Sequence, residues 1–578
     1  MAPKGASEII EAVNDKYSDE AELRARFEYD YGLFILKQFK MKETMEIAGV
    51  TSSSQWDNYT TNRPRTLAEK LIADLSMARL DIKIPYVFDP KDSRKAKDNG
   101  ERFLYGAINL VDARRRAQRK RRLQLEKAWH AVVRGQWATR TYIHKNKRNE
   151  TIIEVDVWDR MHTFYEDGED GLDWACYTRT IPAAYAKSKY GKEISGKNVK
   201  LYDFWDTKSN TILLGTDYII KEETDHGLDH VPVDICVCGA TPYIESEEFP
   251  ETIMDEGESC YAANRFVYEN MNKQRTYRGT MIGLGVHNPF IHYSKGGKQT
   301  LKQSPWHRGA EIPADTDKDE SFKPLFQPVM PQDAMEFERE ISADADMGGL
   351  PPIAHGVMSY PAPHSGYQTS TLTGSAASRI YFSQLAVEES FNWDCRELLT
   401  QYNKGFKALN LRGHDGTGAP FAVKLSPSEI KGEWFPECKL MVQLPEDEAG
   451  KFVMLRDAVM NRIYSRQTAR DKLGIQDTDA EEDIIMREMA TEDPSVALRL
   501  VAKGLIEDGD TELSQILIAK AMIQEQQIKM QLGQMVQNQQ KPFQTGLPSN
   551  VLPPGQAGQV PMNQEDIRLQ QLGMERGY

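Results

Sequence analysis

The chain has 578 residues, 40% hydrophobic and 27% charged, which excludes overall disorder and leaves room for about three or four domain-sized units. Its net charge of −14 argues against a surface that grips nucleic acid through many phosphate contacts. The six cysteines, Cys176, Cys236, Cys238, Cys260, Cys395 and Cys438, are scattered and suggest no disulfide framework. The N-terminal MAPKGASEII lacks a signal-peptide apolar run, and no apolar stretch long enough for a transmembrane helix is expected.

Residues 1–50 read as helical, and TSSSQWDNYTTNRP (51–64) as a polar break. A helix is expected from about Thr66, with Leu67, Leu71 and Leu75 close to helical spacing, in a region ended by Pro85 and Pro90. Residues 94–134 read as one long helix, stopped at Gly135 and centred on the basic block Arg114–Arg122. β-like sequence follows (TYIHK, TIIEVDVW, DWACYTRTI), then a short helix IPAAYAKSKYG ended by glycine, then the strands LYDFW, TILLG, DYIIKE and VPVDICVC.

Residues 249–279 read as a long helix, acidic near its start and basic near its end, which complements the macrodipole. Residues 280–330 change to a compact Gly- and Pro-containing insert. A second helix (331–349) ends at a glycine pair, and 351–375 reads as a long loop rich in Pro, Gly, Ser, Thr and Tyr. A very long helix is expected from Ala376 to about Leu411, then the strands FAVKL and KLMVQL. Next come a helix KFVMLRDAVMNRI and a short helix capped by Ser465 and stopped at Gly474. Thr478 and Glu481 suggest a capping box, residues 511–540 a last helix, and 541–578 a mobile tail.

No catalytic motif stands out. SKGGKQT (294–300) has His292 where a phosphate loop needs its first glycine. DTDKDE (315–320) has Glu320 where a calcium loop needs glycine, so a solvated acidic loop is the better reading. His226, His230, Cys236 and Cys238 come nearer to a metal set, against which stands a plain buried strand. The basic block suits DNA contact, a solvated helix face, or acidic surface on a neighbouring subunit. No catalytic residue, cofactor or metal is expected, and the chain reads as a non-enzyme.

The informative signal is the order of elements: a long helix, a compact β insert, a returning helix, a long loop, a very long helix, strands and a helical C-terminus. HSGYQTSTLTGSA (364–376), NRIYSRQTARDKLGIQDTDAEEDIIMREM (461–489), NRPRTLAEKLIADLSMARLDIKI (62–84) and WHAVVRGQWATRTYI (129–143) add local likeness. In this order and these segments the chain resembles the portal proteins of tailed bacteriophages over roughly 60–540. The basic block and the polar first 50 residues depart from the pattern.

The resemblance implies an α+β, predominantly helical fold with wing, stem, clip, long kinked wing helix and helical crown, assembled as a ring. Its divisions would be an N-terminal helical and β-rich wing (1–248), stem helix (249–280), clip (281–329), second stem helix (330–350) and tunnel loop (351–375). The long kinked helix and C-terminal wing (376–490), crown (491–541) and flexible tail (542–578) would follow. It implies a homo-oligomer, a dodecameric ring at one capsid vertex of the virion, assembled in host cytoplasm, with no membrane contact. Double-stranded DNA would pass through the channel during packaging and ejection. The terminase large subunit, head–tail adaptors, and the major capsid and scaffold proteins would be partners. Tyr360, His364, Ser365, Tyr367, Gln368 and Thr369 are its DNA-channel residues, and Phe290, Trp306 and His307 its clip docking surface. Another ring-forming connector or scaffold, or a metal-dependent nucleic-acid enzyme, are the competing readings.

Overall fold

The structure, a computed structural model, describes residues 5–41, 45–47, 50–52, 56–85, 93–240, 257–286, 290–293, 321–324, 332–350, 366–414, 420–430, 434–442 and 448–473, apart from single positions within these ranges, and scattered helical residues between 482 and 526. It separates into two units, Met1–Thr478 and Asp479–Tyr578. The fold is α+β, and every strand pairing among the described residues is antiparallel.

The first unit opens with helices α1 (Ala6–Asp19) and α2 (Ala21–Phe34). The helical expectation for residues 1–50 fails after that point. Strands β1 (Met45–Ile47) and β2 (Val50–Ser52) pair instead, and the β-branched Ile47, Val50 and Thr51 suit a strand better than a helix. Helix α3 (Arg63–Met77) starts with Pro64 in its first turn, where no N–H is missed, and buries Leu67, Leu71 and Leu75. Strand β3 (Arg79–Lys83) follows it.

The single helix expected over 94–134 is two, α4 (Ser93–Ala117) and α5 (Leu123–Val133). Arg119 takes a left-handed φ of 62°. Side chains then satisfy groups that a continuous helix would have bonded internally. Asp112 accepts the Leu123 N–H at 2.8 Å, and the Arg115 guanidinium donates to the Arg121 carbonyl at 3.1 Å. Gly135 ends α5 as expected, at φ 75°. A Cβ there would lie 2.4 Å from the Glu258 carbonyl carbon, so only glycine fits.

Next come β4 (Gln136–Lys145), β5 (Thr151–Asp159), β6 (Thr163–Gly168), β7 (Gly171–Pro182), helix α6 (Ala183–Tyr190), β8 (Asn198–Asp206), β9 (Ser209–Leu214), β10 (Tyr218–Asp225) and β11 (Val233–Val237). They form a five-stranded meander, β10-β9-β8-β7-β6, and a three-stranded sheet, β11-β4-β5. Gly191 closes α6 at φ 69°, as its sequence predicts.

Helix α7 spans Arg265–Val286, later than the expected 249–279. Before it, Glu258 N–H bonds the Cys238 carbonyl and Cys260 N–H the Val132 carbonyl at 2.9 Å, and Ala262–Asn264 form a short 3-10 turn, with Ala262 N–H on the Ser259 carbonyl (3.1 Å) and Asn264 N–H on the Tyr261 carbonyl (2.9 Å). Strands β12 (Phe290–Tyr293) and β13 (Ser321–Pro324) pair, and α8 (Gln332–Met347) stops at the Gly348–Gly349 pair. Helix α9 runs Gly366–Asn403, where Ala376–Leu411 was expected. No proline follows Pro363 until well past the helix, so a cooperative helix extends through residues of poor propensity. At its other end, Leu409–His414 is strand β14, paired with β15 (Pro420–Leu425). Strand β16 (Glu437–Met441) pairs with the distant β3. Helices α10 (Glu448–Met460) and α11 (Arg466–Lys472) follow, and Ser465 Oγ accepts the Thr468 N–H at 3.0 Å, the cap expected there.

One core gathers α4, α5, α9 and sheets β11-β4-β5, β14-β15 and β16-β3 around Trp137, Phe391 and Tyr402. A second packs α3, α5, α7, α8 and α9 around Tyr261, Tyr268, Met271, Ile341 and Ile380. Each fully buried large side chain such as Phe391 contributes about 2 kcal/mol. In the second unit, residues 515–524 are helical, within the expected last helix. The capping box at Thr478 and Glu481, and Gly474, lie outside the described residues.

Candidate functional site: a rooted helix pair and a basic turn

Helices α7 and α8 pack side by side, joined through one carboxylate. Glu338 of α8 takes Arg278 at 2.7 Å and Arg275 at 3.3 Å. Asn264, just before α7, donates to the Ala345 carbonyl at 2.9 Å. Arg63 of α3 pairs with Asp346 at 3.0 Å. The start of α7 is tied down more deeply: Asp30, fully buried on α2, accepts Arg265 at 2.8 and 2.9 Å and Ser259 Oγ at 2.7 Å. Removing Arg265 would strand a buried carboxylate.

Along α7, Asn272, Thr276 and Thr280 stand four residues apart on one stripe. Their side-chain oxygens accept the backbone N–H groups of Thr61 (2.7 Å), Tyr59 (3.0 Å) and Asp57 (3.0 Å). Two extended residues advance about 6.6 Å and four helical residues about 6 Å, so the two periods keep step. The segment lies along the helix as a strap, with Trp56 edge-on to Tyr277 at 5.3 Å.

Helix α9 is held against the sheet by buried charge. Lys127 of α5 reaches Asp394 at 2.5 Å, and Asp394 also accepts Thr139 (3.0 Å) and Thr141 (2.8 Å) from β4. Two turns on, Gln401 accepts the Ile143 N–H and donates to the Thr141 carbonyl, both at 2.7 Å. Glu397 meets His230 at 2.8 Å, which raises the His230 pKa.

The basic block is divided. Arg114 pairs with Glu154 at 2.8 Å, Lys120 with Asp156 at 2.5 Å, and buried Arg115 with Glu126, with Asp156 (3.6 Å) and with the Val155 carbonyl (2.9 Å). Burial alone would raise the Asp156 pKa, but Arg140, Lys120 and Arg115 hold it down at about 2. Arg116 in the last turn of α4, and Arg119, Arg121 and Arg122 on the turn that leads to α5, are exposed.

The residues read as channel and clip surface are only partly placed. Tyr367, Gln368 and Thr369 are on the first turns of α9, not in a loop as expected. Phe290 is on β12 opposite Pro324. Tyr360, His364, Ser365, Trp306 and His307 lie outside the described residues, as do SKGGKQT and DTDKDE. The possible metal set is not brought together. His226 Nε2 meets the Asp206 carbonyl at 3.0 Å, and His230 meets Glu397. Cys236 on β11 and Cys238 just past its end are both buried in the core, donating to Asp234 (3.3 Å) and Ser383 (3.4 Å). Among the described residues no group of three or more potential ligands gathers, and no helix is long and apolar enough to cross a membrane.

The sequence reading passed over the Asn272, Thr276, Thr280 stripe, although its four-residue spacing was visible. It also passed over Lys127 and Asp394, whose separation in the chain left no signal.

No family model matches this chain, and no curated protein matches it. A solved structure to which it is similar is the neck of an empty GTA particle computed with C6 symmetry, at 12% identity and a TM-score of 0.39, covering 72% of this chain and 90% of that one.

Proposed function

We propose that the chain is a portal-type subunit. Copies form a ring, and the ring is a channel for double-stranded DNA at one vertex of a virion. The observation that carries this reading is the sequence of α7, β12, β13, α8 and α9: a helix leads into a strand-paired insert, a second helix returns packed on the first, and a 38-residue helix follows. In a portal these are stem, clip, second stem helix and wing helix.

The surface of the pair supports it. Phe266 and Ile282 of α7, and Met335, Phe337 and Met347 of α8, are exposed apolar side chains on helices whose inner faces are already packed. Neighbouring copies in a ring would cover such positions, and contacts of this kind close head to tail. The buried tie at Asp30 and the partly exposed one at Asp346 would keep each helix pair at a fixed angle to its own body. On this reading the protein performs no chemistry: a separate terminase drives DNA through it, and adaptor proteins dock on the insert.

Light scattering and negative-stain imaging of the purified full chain test the proposal. Rings of about twelve subunits with a central opening are expected. A compact monomer or dimer at all concentrations, or metal-dependent nuclease or ATPase activity at stoichiometric levels, would overturn it.

A further inference from the structure

The turn between α4 and α5 is built as a rigid knob. Three backbone bonds close it: Gln118 N–H to the Arg114 carbonyl (3.0 Å), Arg119 N–H to Arg116 (3.0 Å) and Lys120 N–H to Arg115 (2.8 Å). From beneath, buried Arg115 bonds the Arg121 carbonyl, the Val155 carbonyl and Glu126. Asp112 holds the first N–H of α5. Arg119 keeps a left-handed backbone, φ 62°, which a non-glycine residue holds only when its surroundings fix it there. So much internal bonding fixes the direction in which the turn faces.

Arg116 at the end of α4 and Arg119, Arg121 and Arg122 on the turn are exposed; none is within ion-pair distance of a carboxylate among the described residues, although Arg122 is near enough to Asp112 to act on its carboxyl. Their neighbours in the block show what the turn's cations pair with: Arg114, Arg115 and Lys120 are all matched to carboxylates of β5 or α5. Next to the turn, the outer face of α4 carries exposed Leu110, Ala113 and Ala117. An apolar strip edged by guanidinium groups has the make-up of a protein interface, where arginine is enriched. Nucleic acid would be served by cations alone or by cations with exposed rings, and would have no use for the apolar strip beside them.

The geometry points to this turn and the adjoining α4 strip as a docking surface for acidic surface on a second copy of the chain. Every copy supplies such surface, because carboxylates outnumber lysine and arginine, 86 to 72. A basic knob on one copy meeting carboxylates on the next is a heterologous contact, the type that closes a ring. The inference rests on the ring reading above and adds to it the surface that holds neighbours in register.

The test uses the full chain in two forms, with Arg116, Arg119, Arg121 and Arg122 all changed to Glu in one and all to Lys in the other. Circular dichroism and thermal melts check that both fold, as they should, since Arg114 and Arg115 are retained. Sedimentation at low and high salt then measures self-association, and a linear duplex fragment is tested for binding by gel shift. The expected results are wild-type assembly that weakens with salt, a Glu form weakened by roughly 100-fold or more, and a Lys form between them. Assembly of the Glu form equal to wild type would overturn this inference and leave the ring reading standing. Loss of DNA binding with assembly intact would make the turn a nucleic-acid surface and also overturn it. A wild type that never assembles would remove the ring reading itself, and this inference with it.

Discussion

Lys127 and Asp394 form an ion pair in which neither side chain reaches solvent, 0% and 1% exposed. Lys127 Nζ also lies 4.1 Å from the Phe391 ring centre. The pair locks α5, β4 and α9 together, because Asp394 also takes the hydroxyls of Thr139 and Thr141.

Breaking this pair on one side leaves a buried charge uncompensated, at a cost of about 3–5 kcal/mol. Lys127→Met and Asp394→Leu should each lower the unfolding temperature by about 5–10 °C. The double variant should lose less than the sum of the two. Differential scanning fluorimetry on the three variants checks this, and additive losses would mean the pair does not act as a unit.

The strap along α7 depends on hydroxyl acceptors. Thr276→Val keeps the shape and removes the oxygen that accepts the Tyr59 N–H. About 1–2 kcal/mol should be lost, with faster amide exchange confined to residues 56–61. Hydrogen-exchange mass spectrometry reads this directly. Unchanged protection of that segment would show that the hydroxyl is not what holds it.

Gly135 permits a crossing that no other residue can. A Cβ there would sit 2.4–2.7 Å from backbone atoms of Glu258 and Ser259, and the backbone is already left-handed. Gly135→Ala should destabilise by about 2 kcal/mol or more and free the segment that leads into α7. Limited proteolysis near residue 258 should then accelerate. A variant as resistant as wild type would contradict the steric account.

His130 sets a pH dependence. Its ring is buried, its Nδ1 has no hydrogen-bond partner among the described residues, and its pKa falls to about 4. Burial is the main cause; Asp159 opposes it, while Arg134 and Arg115 add to it. The unfolded chain takes up this proton at about 6.5. Stability from His130 is therefore complete above about pH 6.5 and declines as pH falls toward 4, by about 3 kcal/mol in all. Melting temperatures of wild type and His130→Phe between pH 7 and 4 should diverge, the variant keeping the shallower slope. Parallel curves would show that the ring does not titrate in this window.

Local chemistry made much of the chain legible. Ser465 could be read as a cap and Gly191 as a stop because each acts on its own turn. The Gly348–Gly349 end of α8 and the strands β4, β5 and β7 to β11 were legible for the same reason, and so was the order of elements behind the portal resemblance; β6 was not, because EDGEDG reads as a turn. Decisions that turn on distant partners were not. The break at Gln118–Arg122 depends on Asp112 and on β5, which pairs with the turn's cations, and α7 cannot begin at 258–260 because the carbonyls of Cys238 and of Val132 in α5 take the N–H groups of Glu258 and Cys260. Strand β3 exists because β16 arrives to pair with it. A helix propensity or a glycine acts within one turn, whereas these choices were made by hydrogen-bond partners that only folding brings into reach.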